Sequence, residues 1–141
     1  MKKKNILVLC TGNSCRSQIA EGYLRHFAGD KASVYSAGIE THGLNPKAVL
    51  VMKEDGIDIS KHTSNNVDEY QGIDFDFLIT VCDHARENCP YFPTKALKFH
   101  HNFPDPAKAS GSEEDIMNKF REVREMIKDY SRRFVNENLK N

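Results

Sequence analysis

The chain has 141 residues, with 20 Lys plus Arg balanced by 20 Asp plus Glu. That length suits one domain with its own core, and the zero net charge excludes a global field that would gather nucleic acid or an anionic membrane. The basic start, Met1 to Lys4, leads only into Ile6–Cys10, shorter than a signal-peptide core, and no stretch approaches the roughly 20 apolar residues of a membrane span, so the chain reads as one cytoplasmic domain over 1–141.

In chain order, Asn5 to Leu9 reads as a buried strand. Ser17 to Ala28 reads as a helix with Ile19, Ala20, Tyr23, Leu24 and Phe27 on one face and Gly29 as its stop. Ser33 to Gly38 is a short strand. Asn45 before Pro46 is a good N-cap and first helical position, which predicts a helix over Pro46 to Asp55 ended by Gly56. Phe75 to Val81 is a strand that runs into Cys82, and Ala96 to His100 is a weaker one. From Ser112 onward Ile116, Phe120, Val123, Ile127, Tyr130 and Phe134 keep helical spacing, with Ser112 and Asp115 resembling a capping box. Strands separated by helices predict parallel pairing in a doubly wound α/β fold, whose ligands bind at the carboxyl ends of the strands. Cys10 and Cys82 each follow a strand directly and are therefore expected on one edge.

Cys10-Thr11-Gly12-Asn13-Ser14-Cys15-Arg16-Ser17 is a C-x5-R-S pattern between a strand and a helix. A loop of this kind brings backbone N–H groups, the positive end of a helix and a guanidinium fork around one tetrahedral oxyanion. Thr11, Gly12, Asn13, Ser14, Cys15 and Arg16 are the expected oxyanion-binding residues, and Cys10 the nucleophile. Its thiol is expected to fall from about 8.5 into the range of about 3.5–7.5. Gly12 and Asn13 suit the left-handed backbone such a loop needs. Ser17 is expected to donate to the Cys10 sulfur. Cys15 has two readings, a small core residue or a partner for Cys10. Four cysteines without an export signal speak for reactive thiols or a metal rather than a permanent disulfide frame.

"LCTGNSCRSQIAEG", "TVCDHARENCP" and "DPA" at Asp105 to Ala107 together resemble the thioredoxin-coupled arsenate reductases, which share the fold of the low-molecular-weight protein tyrosine phosphatases. The resemblance covers essentially the whole chain. It implies a three-layer α/β/α domain with a central four-stranded parallel sheet, acting as a monomer. It also implies arsenate as substrate, thioredoxin as reductant, Cys10 as nucleophile, Cys82 as second thiol, Cys89 as resolving thiol and Asp105 as general acid. Arsenate reduction takes two electrons, so a second thiol must join Cys10, and Cys89 then moves the disulfide outward. Were 82–89 helical, their end Cα atoms would stand about 10 Å apart, whereas a disulfide needs roughly 4.4–6.8 Å; oxidation would unwind the segment. His84 and Arg86 are near enough in sequence to favour a thiolate there, or are solvated surface charges.

Some members of this family bind potassium, and the matching residues are Asn13, Glu21, Ser36 and Asn65. Asn65 stands in place of an aspartate, and an uncharged amide weakens a cation site. Two further departures are Asp83, where the family often has glycine or serine, and His101-Asn102-Phe103-Pro104-Asp105, where it usually has Trp-Gly-Phe-Asp-Asp. The competing reading is a protein tyrosine phosphatase using Cys10, Arg16 and Asp105, which typically carries a bulky apolar residue after the nucleophile and an aromatic after Asp-Pro. Thr11 and Ala107 occupy those positions. A zinc module built on Cys10, Cys15, Cys82 and Cys89 is a third reading; its C-x4-C and C-x6-C spacings are loose for zinc, and Arg16 would sit beside the metal.

Overall fold

The computed structural model describes residues 3–83 and 96–139. His84, Arg86, Cys89 and most of the segment expected to unwind lie outside the described residues. The elements are β1 (Lys4–Cys10), α1 (Arg16–Ala28), β2 (Ala32–Gly38), α2 (Pro46–Glu54), β3 (Phe77–Thr80), β4 (Leu97–His100) and α3 (Glu113–Asn138). All four strands are parallel, in the order β2-β1-β3-β4. Ile6, Leu7, Val8 and Leu9 are each fully buried. Successive strand residues point to opposite faces, so both faces of the central strand are covered, as an α/β/α arrangement requires.

Asn45 caps α2 by accepting from Lys47 N and Ala48 N with Pro46 in the first turn, and Ser112 and Asp115 form the capping box of α3. The strand over Phe75 to Val81 is shorter than expected, because its ladder with β1 spans only Phe77–Thr80 against Ile6–Leu9. Phe75 is buried by ring contact with Tyr35 instead of by pairing. The amphipathic stripe of α3 buries Phe120, Val123, Ile127 and Phe134, the last edge-on to Phe77 and Phe99 of the sheet. Each such side chain contributes about 1.5–3 kcal/mol. The Arg121–Glu54 pair between α3 and α2, 2.9 Å apart and part-exposed, belongs to a class contributing about 0.2–1 kcal/mol. Apolar burial therefore holds the helices to the sheet, and the ion pairs add little to it.

The register places the chemistry. Cys10 is the last residue of β1 and pairs with Gly38, the last of β2; Leu9 pairs with Thr80, and Thr80 with His100. The carboxyl ends of all four strands thus form one edge. Gly38 has no room for a side chain: a Cβ there would stand 2.4 Å from Glu40 O, 2.7 Å from Asn13 N and 2.8 Å from Thr11 O. All three are backbone atoms, which cannot swing aside. Gly38→Ala is expected to lower stability to urea by about 1–3 kcal/mol and to abolish the stabilisation that added phosphate gives the wild type, both read in the same unfolding curves.

Candidate active site

Residues 11–15 carry the chain from β1 to α1, and residues 39–45 run alongside them. Ile39 N donates to Cys10 O (3.4 Å), Glu40 N to Thr11 O (2.9 Å), His42 N to Gly12 O (3.0 Å) and Asn45 N to Ser14 O (2.9 Å). Ser64 Oγ adds a second bond to Gly12 O at 3.2 Å. In a trans peptide the C=O and the following N–H point opposite ways. Binding these carbonyls from outside therefore turns the N–H groups of Thr11, Gly12 and Cys15 inward, toward the cleft those residues line. Cys15, the N-cap of α1, supplies no side-chain acceptor, which leaves the helix start for a ligand.

Thr11, Gly12, Ser14, Cys15 and Arg16 line a cleft of ≈ 570 Å³ together with Cys10, Cys82 and Asp105. Asn13 does not line it. Its φ is +47°, the left-handed value expected, and its side chain is fully buried behind the loop. There Asn13 Oδ1 accepts from Ser17 Oγ (2.9 Å) and Gln18 Nε2 (3.1 Å), while Nδ2 donates to Ser36 O (3.3 Å) and Asn65 O (3.4 Å). The hydroxyl hydrogen of Ser17 is thereby committed to Asn13. The expected bond from Ser17 to the Cys10 sulfur is not made, and Ser17 braces the loop.

Arg16 is drawn across the cleft: Nη1 donates to Phe103 O at 2.9 Å, and Nη2 stands 3.7 Å from Asp105 Oδ2. Asp105 begins a short 3-10 turn, where Oδ1 accepts from Ala107 N at 3.0 Å. Oδ2 is left toward Arg16, and Asp105 lines the same cleft as Cys10. Cys15 is a buried thiol pushed up to about 12 by burial and by the Asp105 charge, against the pull of Arg16. That favours its reading as a small core residue.

Cys82 is buried at the end of the β3 segment, and Thr11 Oγ1 lies 3.3 Å from its sulfur. Its side chain is also the largest influence on the Cys10 thiol. That influence, then burial, pushes the Cys10 thiol up, against Arg16 and the Thr11 N–H, which pull it down. The expected depression is therefore overturned: the loop supplies it and the neighbouring sulfur more than cancels it. Two neighbouring sulfurs titrate as a pair, and the first charge opposes the second.

The residues matched to a potassium site are together but differently engaged. Glu21 accepts from Ser36 Oγ at 2.6 Å and pairs with Arg25 Nε at 2.9 Å. The Asn65 side chain accepts from Thr63 Oγ1 and donates to Glu69, so only its backbone carbonyl faces Asn13. Amide N–H groups thus meet the Ser36 and Asn65 carbonyls, and Arg25 already supplies the positive charge. As placed, these residues do not fit a potassium ion. Among the described residues no three His, Cys, Asp or Glu side chains are grouped to hold a metal.

Sequence reasoning missed the 39–45 segment, the Phe103 carbonyl and Gln18. Gly38 ending a strand was the available signal for the first. Nothing in the sequence marks a backbone carbonyl as the partner of an arginine 87 positions away.

The described residues contain no helix long and apolar enough to cross a membrane. The profile of the family described as low molecular weight phosphotyrosine protein phosphatase matches residues 5–141. The chain is 51% identical over 127 residues to an arsenate reductase of Halalkalibacterium halodurans, covering 90% of this chain and 91% of that one. It is 50% identical over 127 residues to the arsenate reductase of Bacillus subtilis, again covering 90% and 91%. The solved structure of an arsenate reductase in its oxidized state superposes with a TM-score of 0.81 at 30% identity, over 95% of this chain and 98% of that one. The low molecular weight protein tyrosine phosphatase of T. tengcongensis shares the fold, with a TM-score of 0.79 at 23% identity over 96% and 99%. The match of the family's profile to nearly the whole chain, with relatives of about half identity over nine-tenths of it, shows that the chain belongs to the low molecular weight phosphotyrosine protein phosphatase family.

Proposed function

We propose that the protein is an arsenate reductase working by a three-cysteine relay, with thioredoxin as the reductant. The observation that carries this reading is the second thiol, Cys82, which lines the oxyanion cleft with Cys10 and has its sulfur 3.3 Å from Oγ1 of Thr11, the residue after Cys10. Relatives of about half identity named arsenate reductase support it. A phosphatase needs Cys10, Arg16 and an acid; it has no use for a buried sulfur beside its nucleophile.

Arsenate is held by the inward N–H groups, the α1 dipole and Arg16. A dianionic oxyanion is the acceptor for the Cys10 proton as it enters, and the inward N–H groups and Arg16, which hold the resulting anions, offset part of the cost that the raised thiol imposes. Cys10 Sγ then bonds to arsenic, and the proton that Cys10 gave up passes by way of Asp105 to the departing hydroxide, which leaves as water. Cys82 thiolate next attacks Cys10 Sγ. The S–S bond forms, the S–As bond breaks, and its electron pair reduces arsenic from the pentavalent to the trivalent state. Cys89 takes Cys82 into a second disulfide, frees Cys10 and hands the oxidised pair to thioredoxin. Thr11 and Ala107, small where an aryl phosphate would want apolar and aromatic contacts, favour an inorganic oxyanion. Weak phosphatase activity is expected to accompany the reductase, because phosphate and arsenate share charge and shape.

NADPH consumption coupled through thioredoxin and its reductase tests the relay. Cys82→Ser is expected to abolish arsenate-dependent turnover while hydrolysis of p-nitrophenyl phosphate persists; Cys10→Ser is expected to abolish both. Strong phosphatase activity without arsenate turnover in the wild type would make the protein a tyrosine phosphatase. A second measurement follows from the sulfur pair. A raised thiol displaces the pH profile of Cys10 alkylation by iodoacetamide upward, so Cys82→Ala, which removes the raising group and leaves Arg16 and the Thr11 N–H, is expected to move it down by on the order of one pH unit. Cys15 is expected to stay unmodified at pH 8 in both proteins, since its thiol lies at about 12.

A further inference from the structure

Two departures from the family pattern meet in space. The Asp83 N–H donates to Asn102 Oδ1 at 3.0 Å, and the Asp83 carboxylate lies 2.7 Å from His100 Nε2. A carboxylate only accepts, so Nε2 carries the hydrogen of that bond. His100 Nδ1 is in turn 2.7 Å from Thr80 Oγ1. The hydroxyl donates to Nδ1 when the ring is neutral. The chain Thr80–His100–Asp83 thus links the end of β3 to the residue after Cys82 by way of the end of β4. On the other side of Cys82, Val81 N donates to Leu9 O at 3.0 Å and Val81 O accepts from Phe103 N at 3.1 Å. Both neighbours of the second thiol are therefore tied to the sheet edge. Glycine at 83 could make no side-chain bond to His100, and glycine at 102 none to the Asp83 N–H.

We propose that Asp83, His100 and Asn102 are positioning residues that hold the Cys82 backbone so that its sulfur stays aimed at Cys10. This rests on the reading of Cys82 as the second thiol. The step they serve is the attack of Cys82 thiolate on the Cys10–arsenic adduct: the S–S bond forms, the S–As bond breaks, two thiols are oxidised and arsenic is reduced, with no other oxidant. A sulfur displaced from the line of attack slows this step alone. Oxyanion binding and the phosphatase reaction use the loop, Arg16 and Asp105; Asp83 and Asn102 line the same cleft, but their bonds to each other and to His100 do not run through those groups.

The experiment is a single turnover at saturating arsenate in a Cys89→Ser background, where the reaction stops at the Cys10–Cys82 disulfide, counted by alkylation of the remaining thiols and mass spectrometry. Asp83→Ala is expected to slow disulfide formation about tenfold at saturating arsenate, with kcat for p-nitrophenyl phosphate unchanged; because Asp83 lines the cleft, loss of its charge is expected to shift the apparent affinity for either anion but not these saturated rates. The retained phosphatase rate also reports that the variant is folded. Asp83→Asn keeps an acceptor for His100 and is expected to restore most of the rate. Asp83→Ala combined with His100→Gln is expected to be no slower than Asp83→Ala alone, since both break one chain of bonds. A wild-type disulfide rate in Asp83→Ala, or a change confined to arsenate affinity, would overturn the proposal. Arsenite formation by Cys82→Ser at the wild-type rate would instead remove the relay itself, and the positioning role with it.

Discussion

The hydrogen bonds from residues 39–45 to the carbonyls of Cys10, Thr11, Gly12 and Ser14 fix which way the loop's peptide planes face, and the other parts of the site follow from that orientation. Each such bond contributes about 0.5–1.5 kcal/mol net, while a buried carbonyl left without a partner costs about 1–3 kcal/mol. The loop is thus held more by what disorder would cost than by what each bond contributes. Asn13 closes the arrangement from behind, with its buried amide tied to Ser17, Gln18, Ser36 and Asn65. The anion site is a property of backbone geometry, and the side chains around it are mostly its supports.

Within that frame, Cys82 changes the electrostatics of Cys10, the proposed nucleophile. A phosphatase loop alone pulls its cysteine toward the thiolate. Here the neighbouring sulfur, the largest influence on Cys10, pushes the other way. The pair carries its charge jointly, so deprotonation and arrival of the oxyanion are coupled, and the enzyme at rest does not display two nucleophiles at once. For a thiol exposed to oxidants between turnovers this restrains reactivity, since the thiolate is the form that reacts.

Much of this was legible in the sequence, and the reason differs by residue. Cys10, Arg16 and the Gly-Asn turn announce themselves because strand, loop and helix follow at fixed spacing, and the parallel sheet that brings Cys82 to the same edge follows from alternating strands and helices. Asn45 and Ser112 read correctly as caps because capping is local. Ser17 was misassigned because two acceptors lay within its reach, and only the three-dimensional position of Asn13 decides between them. The thiol of Cys10 was misjudged for a similar reason: local motif chemistry predicts a depression, and a sulfur from another strand reverses it. The potassium set was found as a cluster, but sequence cannot show that Arg25 occupies Glu21 or that Asn65 offers its carbonyl while its side chain turns away.

Cys15 has a bearing on how the cleft empties. Trivalent arsenic is strongly thiophilic, and a cleft lined by three sulfurs would be a trap for the product of the proposed reaction. The two sulfurs that take part leave no ligand behind, because the step that forms arsenite also joins them as a disulfide. The third, Cys15, is kept protonated by burial and by the Asp105 charge, and a thiol in that form is a poor ligand. In the proposed reaction, product inhibition is thereby relieved by the fold and by the stoichiometry together, and the cleft would turn over a poison without retaining it.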